Sequence, residues 1–445
     1  MTDKNECEIN KLSVWENSAS LPQFPTLDGD INTDVLIIGG GIAGILTAYF
    51  LHQNGVKYVL VDKGRICSGI THNTTAKITA QHGLIYHKIF ADRGAYSAQL
   101  YLKANELALE KYCELCKNID CDFERRDNYV YSAYNRKILE KEMKALQKIR
   151  SNAEFCENVI IPKKTVGAVK FPNQAQFNPL EFIAAICDGL NIYENTFVSE
   201  MIGTTAVTQN GKIYADKVIA ATHFPFINKH GSYFMKLYQH RSYVIALKNA
   251  QNVDGMYVDE NRKGMSFRNY GKLLLLGGGG HRTGKQGGNW CELRAFAKTV
   301  YPKAREEYFW AAQDCISLDG VPYIGQYSKR TPNFHVASGF NKWGMTSAMV
   351  SAMVSAMVLS DLILGKQNDF AEVFNPSRSI LKPQLFANGF EATKNLLTVS
   401  EHRCPHLGCA LKWNRAENSW DCPCHGSRFT ESGEVLDNPA NGTFK

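Results

Sequence analysis

The chain lacks an uninterrupted membrane-length apolar run. Its longest apolar stretch, residues 345–364, is broken by Thr346, four serines and Asp361, which predicts a buried helix and no transmembrane segment. Charge of one sign is also scarce: 445 residues carry a formal net charge of +7 and no long basic run, so nothing points to nucleic acid or to a membrane surface. The opening MTDKNECEINKLSVWENS lacks the apolar core of a secretory signal, which predicts a cytoplasmic protein. With 44% hydrophobic and 21% charged residues, 35 glycines and 14 prolines, the composition excludes disordered, collagen-like and coiled-coil classes. With 13 cysteines, an odd number, in a chain without a secretion signal, most cysteines are expected to be free thiols rather than a general disulfide framework. Cys113, Cys116 and Cys121 form one tight group with no fourth ligand in sight. They read as buried structural thiols, with a metal or redox role as the alternative.

What is present begins with a strand-helix-strand unit. Residues 33–39 form a short continuous apolar run of the kind found at the centre of a parallel sheet. A helix follows over 42–51, Asn54-Gly55 stops it, and residues 57–62 supply a second strand. At the first junction, Gly39-Gly40-Gly41-Ile42-Ala43-Gly44 has G-x-G-x-x-G spacing. Gly39 permits the tight turn, Gly41 lets backbone approach a pyrophosphate at the helix N-terminus, and Gly44 lets helix and strand pack closely. Asp62 ends the next strand, where a carboxylate accepts ribose hydroxyls. The motif predicts a dinucleotide but does not choose between FAD and NAD, and no second G-x-G-x-x-G is present for a nicotinamide.

Further on, alternation predicts antiparallel strands around 241–247, 264–267 and 272–276, with helices at about 95–118 and 136–151. Sheet-core strands recur at 216–221 and 333–337, so the nucleotide domain is expected to be discontinuous. Ser-Ala-Met-Val occurs three times in succession from Ser347 to Val358. A four-residue step makes ridges that drift by about 40° per repeat, which suits helix packing beside a cofactor; a Met-lined ligand site is the alternative.

Gly339-Phe-Asn-Lys-Trp-Gly344-Met345-Thr346 joins the late strand to that helix, placing backbone N–H groups where an electron-rich ring gains charge on reduction. Here the chain resembles the FAD-dependent oxidoreductases of the D-amino-acid-oxidase-like superfamily. The likeness covers about residues 30–365 and rests on IIGGGIAG, residues 62–77, NTFV around Val198, VIAATH at Thr222, DGVPYIG at 319–325 and GFNKWGMT. It implies FAD as cofactor, with the Val198 backbone at the adenine and Gly344, Met345 and Thr346 at the flavin pyrimidine edge. Several amino-acid oxidases of the family carry a carboxylate-binding Arg shortly before the DGxPxIG-like segment, where this chain has Gln313. Arg241, Arg268, His281 and Arg282 are the candidate substitutes, each equally readable as an ordinary ion-pair residue.

Near the end stand Cys404-Pro-His406-Leu-Gly-Cys409 and, twelve residues on, Cys422-Pro-Cys424-His425-Gly-Ser427-Arg-Phe429. These present C-x-H and C-x-x-H, and resemble the Rieske [2Fe–2S] domain; a structural zinc site, which normally uses C-x2-4-C pairs, is the alternative. The resemblance implies that Cys404 and Cys422 hold one iron and His406 and His425 the other, and that Cys409 and Cys424 clip the loops as a disulfide. It also implies that Ser427 donates to a bridging sulfide. Phe429, where several high-potential relatives carry Tyr, implies a lower potential than theirs.

The expected architecture is α/β (α+β overall): a Rossmann-like FAD-binding domain interleaved with an antiparallel-sheet substrate domain, plus a small all-β Rieske domain at the C-terminus. The expected boundaries are a lead at 1–30, the oxidoreductase at 31–365, a linker at 366–397 and a short Rieske domain at 398–445. A flavin takes two electrons as a hydride and releases them singly, and a [2Fe–2S] cluster takes one at a time. The expected function is therefore oxidation of a small amine or amino acid, with single electrons passing through the cluster to an external acceptor. A redox sensor or electron carrier without an organic substrate is the alternative. Oxygenase chemistry would need a mononuclear site of two His and a carboxylate, which no local spacing suggests.

Overall fold

The computed structural model describes residues 11–227, 230–364 and 369–444. Residues 1–10 of the expected lead, residue 365 at the end of the expected oxidoreductase, 366–368 of the expected linker and the side chains of Met357 and Val358, which end the third repeat, lie outside the described residues.

The first sheet is built on Ile31–Ile38, flanked in parallel by Tyr58–Val61 and Lys212–Ala220; Ile192–Tyr193 and Phe334–Ser338 extend it, and Tyr323–Gln326 closes one edge antiparallel. Both of its faces are packed. Val35 and Ile37 join the apolar cluster containing Ile45 and Leu46 of helix Ile42–Gln53, while Leu36 and Ile38 join another with Val59, Val218 and Val336. The continuous apolar run of the first strand follows from that double coverage. The sheet's strands come from residues 31–61, 192–220 and 323–338, so the nucleotide-binding half is assembled from segments far apart in the chain.

The second sheet has nine strands, in the order Arg305–Ser317, Leu237–Lys248, Leu273–Arg282, Ser266–Tyr270, Met256–Asp259, Glu124–Ser132, Gly167–Gln176 and Lys77–Ile78, with Glu154–Cys156 paired to Gly167–Gln176 off this path. Helix Tyr86–Leu115 starts earlier than the sequence predicts. Gly94 (φ 81°, ψ 176°) interrupts it, and a glycine with that backbone reads as a boundary.

Helix Gly344–Leu364 carries the repeat and packs against helices Ile42–Gln53 and Tyr86–Leu115. Ser347, Ala348, Met349, Val350, Ser351, Ala352 and Val354 are all buried, as expected for a helix covered on every side, and Met349 sits in the core rather than at a ligand. The stretch expected as a linker with a short helix or two forms helices Asp369–Phe374 and Pro383–Leu397. Arg378 fastens it to the oxidoreductase, donating to Asp319 at 2.8 and 2.9 Å and lying 3.9 Å from the Tyr323 ring centroid. The third sheet, at the C-terminus, is small and all antiparallel: Lys412–Asn414, Ser419–Asp421, Arg428–Phe429 and Val435–Asp437.

Candidate functional site

The glycine turn opens onto a cavity of about 1290 Å³. Gly39 has φ 112°, and a Cβ there would lie 2.6 Å from Ala221 O; a Cβ on Gly44 would lie 1.9 Å from Gly39 O, so helix and strand touch through backbone. Gly41 lines the cavity, its missing Cβ meeting only Thr71 Oγ1 at 3.4 Å, which is the open cradle a pyrophosphate needs. Asp62 also lines it. Its Oδ2 accepts from Gly40 N–H at 2.6 Å and its Oδ1 from Gly64 N–H at 2.9 Å, so it braces the turn that it would share with a ribose; burial pushes its carboxyl up. Val198, Thr222, Gly344 and Met345 line the same cavity. Thr346 is turned away: its Oγ1 accepts from Thr79 N–H and donates to Thr79 O, both at 2.9 Å, which pins the helix start to the second sheet. The cradle and the cavity's size fit FAD.

The C-terminal loops are near copies of one another. Gly408 N–H donates to Cys404 O at 2.9 Å, and Gly426 N–H donates to Cys422 O at 3.0 Å, each glycine at positive φ. The turns bring Cys404 and Cys422 into thiol contact, and the His406 and His425 rings to 4.9 Å between centroids. Sharing a hydrogen bond lowers the Cys404 thiol to about 7 and raises that of Cys422 well up. Burial lowers His406 to about 4 and His425 to about 3, keeping both imidazoles neutral, as metal ligation requires. His425 Nδ1 is buried without a hydrogen-bond partner, as suits a nitrogen reserved for iron. Ser427 Oγ accepts Ala440 N–H at 3.0 Å and also hydrogen-bonds with the Cys404 thiol. Cys409 and Cys424 are joined as a disulfide, and their sulfurs lie within 4.8 Å of that of Cys422. The bonded pair is spent as ligand and serves as a clip beside the pocket. Two thiols, two neutral imidazoles and an orphaned ring nitrogen fit a [2Fe–2S] cluster.

The two sites meet across the second sheet, whose alternating side chains serve opposite faces. On Leu237–Lys248, Tyr238, His240 and Ser242 line the cavity, while Gln239 and Arg241 face the Rieske lobe. Gln239 Nε2 donates to His425 O at 2.9 Å and to Asn438 O at 2.8 Å, and Gln313 Nε2 donates to Gly426 O at 2.9 Å. A Cβ on Gly426 would lie 2.5 Å from Gln239 Cβ, so the second cluster loop sits directly on the sheet. Phe224, just past Thr222, lies 6.4 Å from the His406 ring and 6.3 Å from that of His425. Residues 435–438, 440 and 441 of the C-terminal lobe line the same cavity as the glycine turn.

This arrangement corrects the expected substrate residues. Arg241 pairs with Glu417, and Arg282 donates to Pro423 O and Cys424 O, both at 2.9 Å. Tyr243 OH links His281 Nε2, at 2.9 Å, to Glu417 Oε1, at 3.0 Å. Arg268 is buried and donates to Thr75 O and Ala76 O, holding the loop that borders the cavity. None of the four lines the cavity. The strand parity that decides this needs a register, and the sequence does not supply one. Cys113, Cys116 and Cys121 are free thiols, the last two buried. Among the described residues, no helix is long and apolar enough to cross a membrane.

Comparison with known proteins agrees with this geometry. Residues 34–357 match the family model for FAD dependent oxidoreductases (DAO), and residues 374–445 the model for the Rieske [2Fe–2S] domain. The Rieske 2Fe-2S iron-sulfur protein YhfW of Bacillus subtilis (strain 168) is 33% identical, covering 96% of this chain and 96% of its own length. The cytochrome b6-f complex iron-sulfur subunit of Nostoc punctiforme is 57% identical over 37 residues, 8% of this chain and 21% of that subunit. Among solved structures, glycine oxidase from Geobacillus kaustophilus superposes with a TM-score of 0.64 at 18% identity, covering 78% of this chain and 99% of the other. L-proline dehydrogenase from P. horikoshii gives 0.65 at 15% identity, covering 79% and 98%.

Proposed function

The chain belongs to the FAD-dependent oxidoreductase (DAO) family and carries a C-terminal Rieske domain, with FAD and a [2Fe–2S] cluster as cofactors; from that premise we propose that it dehydrogenates a small amine or amino acid and delivers the electrons singly to an external acceptor. FAD, when bound, supplies hydride acceptance from a carbon beside nitrogen, and the cluster supplies one-electron transfer. The observation that carries the reading is the seating of the second Rieske loop on the back of the sheet whose front lines the cavity.

The chain's own residues divide the work. Gly39, Gly41 and Gly44 would shape the pyrophosphate cradle that Asp62 braces, and Val198, which would meet the adenine, lines the same cavity as Thr222. Gly344, Met345 and Thr346 start the helix that closes the flavin end. Cys404 and Cys422 would hold one iron of the cluster and His406 and His425 the other, while the Cys409–Cys424 clip keeps both loops in place. The oxidoreductase spans 31–365, the linker 366–397 and the Rieske domain 398–445. Apart from Cys404 and Cys422, eight cysteines among the described residues are free thiols, which suits a reducing compartment and supports a cytoplasmic site.

The test is anaerobic reduction of the purified holoprotein by a panel of amines and amino acids beside NADH and NADPH, followed by visible and electron-paramagnetic-resonance spectra. Bleaching of the flavin by an amine, followed by the signal of the reduced cluster, is expected. Bleaching by nicotinamides alone would defeat the proposal in favour of an electron carrier.

A further inference from the structure

Strand Arg305–Ser317 lies between the cavity and the Rieske lobe, and its alternation assigns each side chain a duty. Ala312, Asp314 and Ile316 line the cavity, whereas Gln313 is turned to the other face and bound to Gln239 Oε1 and Gly426 O. The one charged side chain that this stretch presents to the cavity is therefore an acid. Asp314 pairs in register with His240, and Ser242 Oγ on the same strand as His240 donates to Asp314 Oδ2 at 2.9 Å. Among the cations that line the cavity, Lys342 acts on Asp314, and Arg262 acts on Lys342 and His240. Among the described residues, neither forms an ion pair with Asp314, and Arg262 is committed to Tyr238 OH. Lys342 keeps a large free surface although protein surrounds it, because it projects into the cavity.

A half-buried carboxylate with one hydroxyl donor is under-compensated, and the ligand that completes it is a cation. A substrate presenting its carboxylate to this strand would meet like charge. We propose that Asp314 binds the alkylammonium nitrogen of the substrate and so sets the specificity of the cavity for amine cations. This rests on the amine-dehydrogenase reading above. The shared chemistry, an alkylammonium group, belongs to a free amine and to an amino acid alike. In the second case Lys342 stands in the same cavity for the carboxylate. Burial pushes the Asp314 carboxyl up and Lys342 draws it back, in keeping with a charge awaiting a counter-ion.

The experiment is anaerobic titration of the full-length holoprotein, followed by perturbation of the flavin absorbance, with three probes: n-butylamine, sarcosine and glycolate. Asp314→Asn keeps the shape and the Ser242 hydrogen bond but removes the charge, and its flavin and cluster spectra report that it is folded. The expected result is binding of n-butylamine, sarcosine or both, weakened about tenfold or more in the variant, while glycolate is unchanged or tightened. Weakening confined to sarcosine identifies an amino acid, and weakening of n-butylamine identifies a free amine; both support the assignment. Amine binding indifferent to Asp314→Asn, or wild-type protein that responds to glycolate alone or to none of the probes, overturns it. The two readings fail separately. Absence of flavin bleaching by amines removes the dehydrogenase and leaves the binding shifts, whereas unshifted binding removes Asp314 and leaves the bleaching.

Discussion

Asn438, just past the last strand of the C-terminal sheet, is bonded to Thr222 of the nucleotide half: its Nδ2 donates to Thr222 O at 2.7 Å and to Phe224 O at 2.8 Å. Thr222 lines the cavity, and the Phe224 ring faces both Rieske histidines, so this one amide ties the C-terminal lobe to the segment that joins the cavity wall to those histidines.

Asn438→Ala removes two donors to neutral carbonyls, each worth about 0.5–1.5 kcal/mol, from a lobe held by many other contacts. The variant should keep both cofactors. In anaerobic stopped-flow mixing with a reducing amine, the flavin should bleach at the wild-type rate and the cluster should be reduced more slowly. Equal cluster rates in the two proteins would show that the amide contributes nothing to the passage.

The same lobe is fastened by charge. Glu417 is buried between Arg241 and Arg428, with Tyr243 OH on its Oε1. Arg241→Ala leaves a buried carboxylate short of one guanidinium, a loss of about 3–5 kcal/mol. It should lower the temperature at which the Rieske circular-dichroism signal melts, while flavin release follows its wild-type profile.

Acid should act on the same contact. Burial pushes the Glu417 carboxyl up, but Arg241 and Arg428 outweigh it and hold it at about 2. A carboxyl lowered on folding stabilises fully above its unfolded value, and that contribution fades as pH falls towards the folded one. Docking should therefore be intact at pH 6 and weaken progressively below the ordinary carboxylate range. Limited proteolysis at pH 6 and pH 3 measures it, and a cleavage pattern independent of pH would remove Glu417 from the latch.

Gly44→Val tests the other end of the molecule. Its Cβ would fall 1.9 Å from the backbone oxygen of Gly39, which no side-chain movement relieves. The turn must open, so purified variant should carry little FAD yet retain iron and the Rieske spectrum. A full complement of flavin would mean that the turn is not the cradle.

How much of this could be read beforehand depended on whether the signal was local. The turn at Gly39–Gly44 and the two cluster loops are contiguous motifs, and the first strand declares itself by being apolar on both faces. Gln239, Gln313 and Asn438 meet only through the register of three distant segments, so a docking triad looked like three ordinary polar residues. Gln313 at the place of a substrate arginine was visible; that Asp314 and not Gln313 faces the cavity was not. The length of helix Pro383–Leu397, where only a short helix or two was expected, was hidden for another reason. The helix turns Phe386, Phe390 and Leu397 outward and buries Asn388 and Asn395, with Asn388 accepting from Arg282, so its pattern is the reverse of an ordinary amphipathic helix.

Phe429 carries the remaining prediction. It is fully buried in the apolar cluster that contains Cys404 and Cys422, with the Phe444 ring at 5.2 Å, and it has no hydroxyl to offer. A donor aimed at cluster or ligand sulfur stabilises the more electron-rich, reduced state and so raises the potential. A net hydrogen bond of about 1 kcal/mol corresponds to about 40 mV for one electron, given about 59 mV per tenfold change. Phe429→Tyr should raise the midpoint by that order in a redox titration followed by electron paramagnetic resonance. Ser427→Ala should lower it, but that change also strands the Ala440 N–H, so the aromatic substitution is the cleaner measurement. A Phe429→Tyr midpoint that stays put, in protein with unaltered cluster absorbance, would mean that the added hydroxyl does not reach sulfur and that this ring does not set the potential.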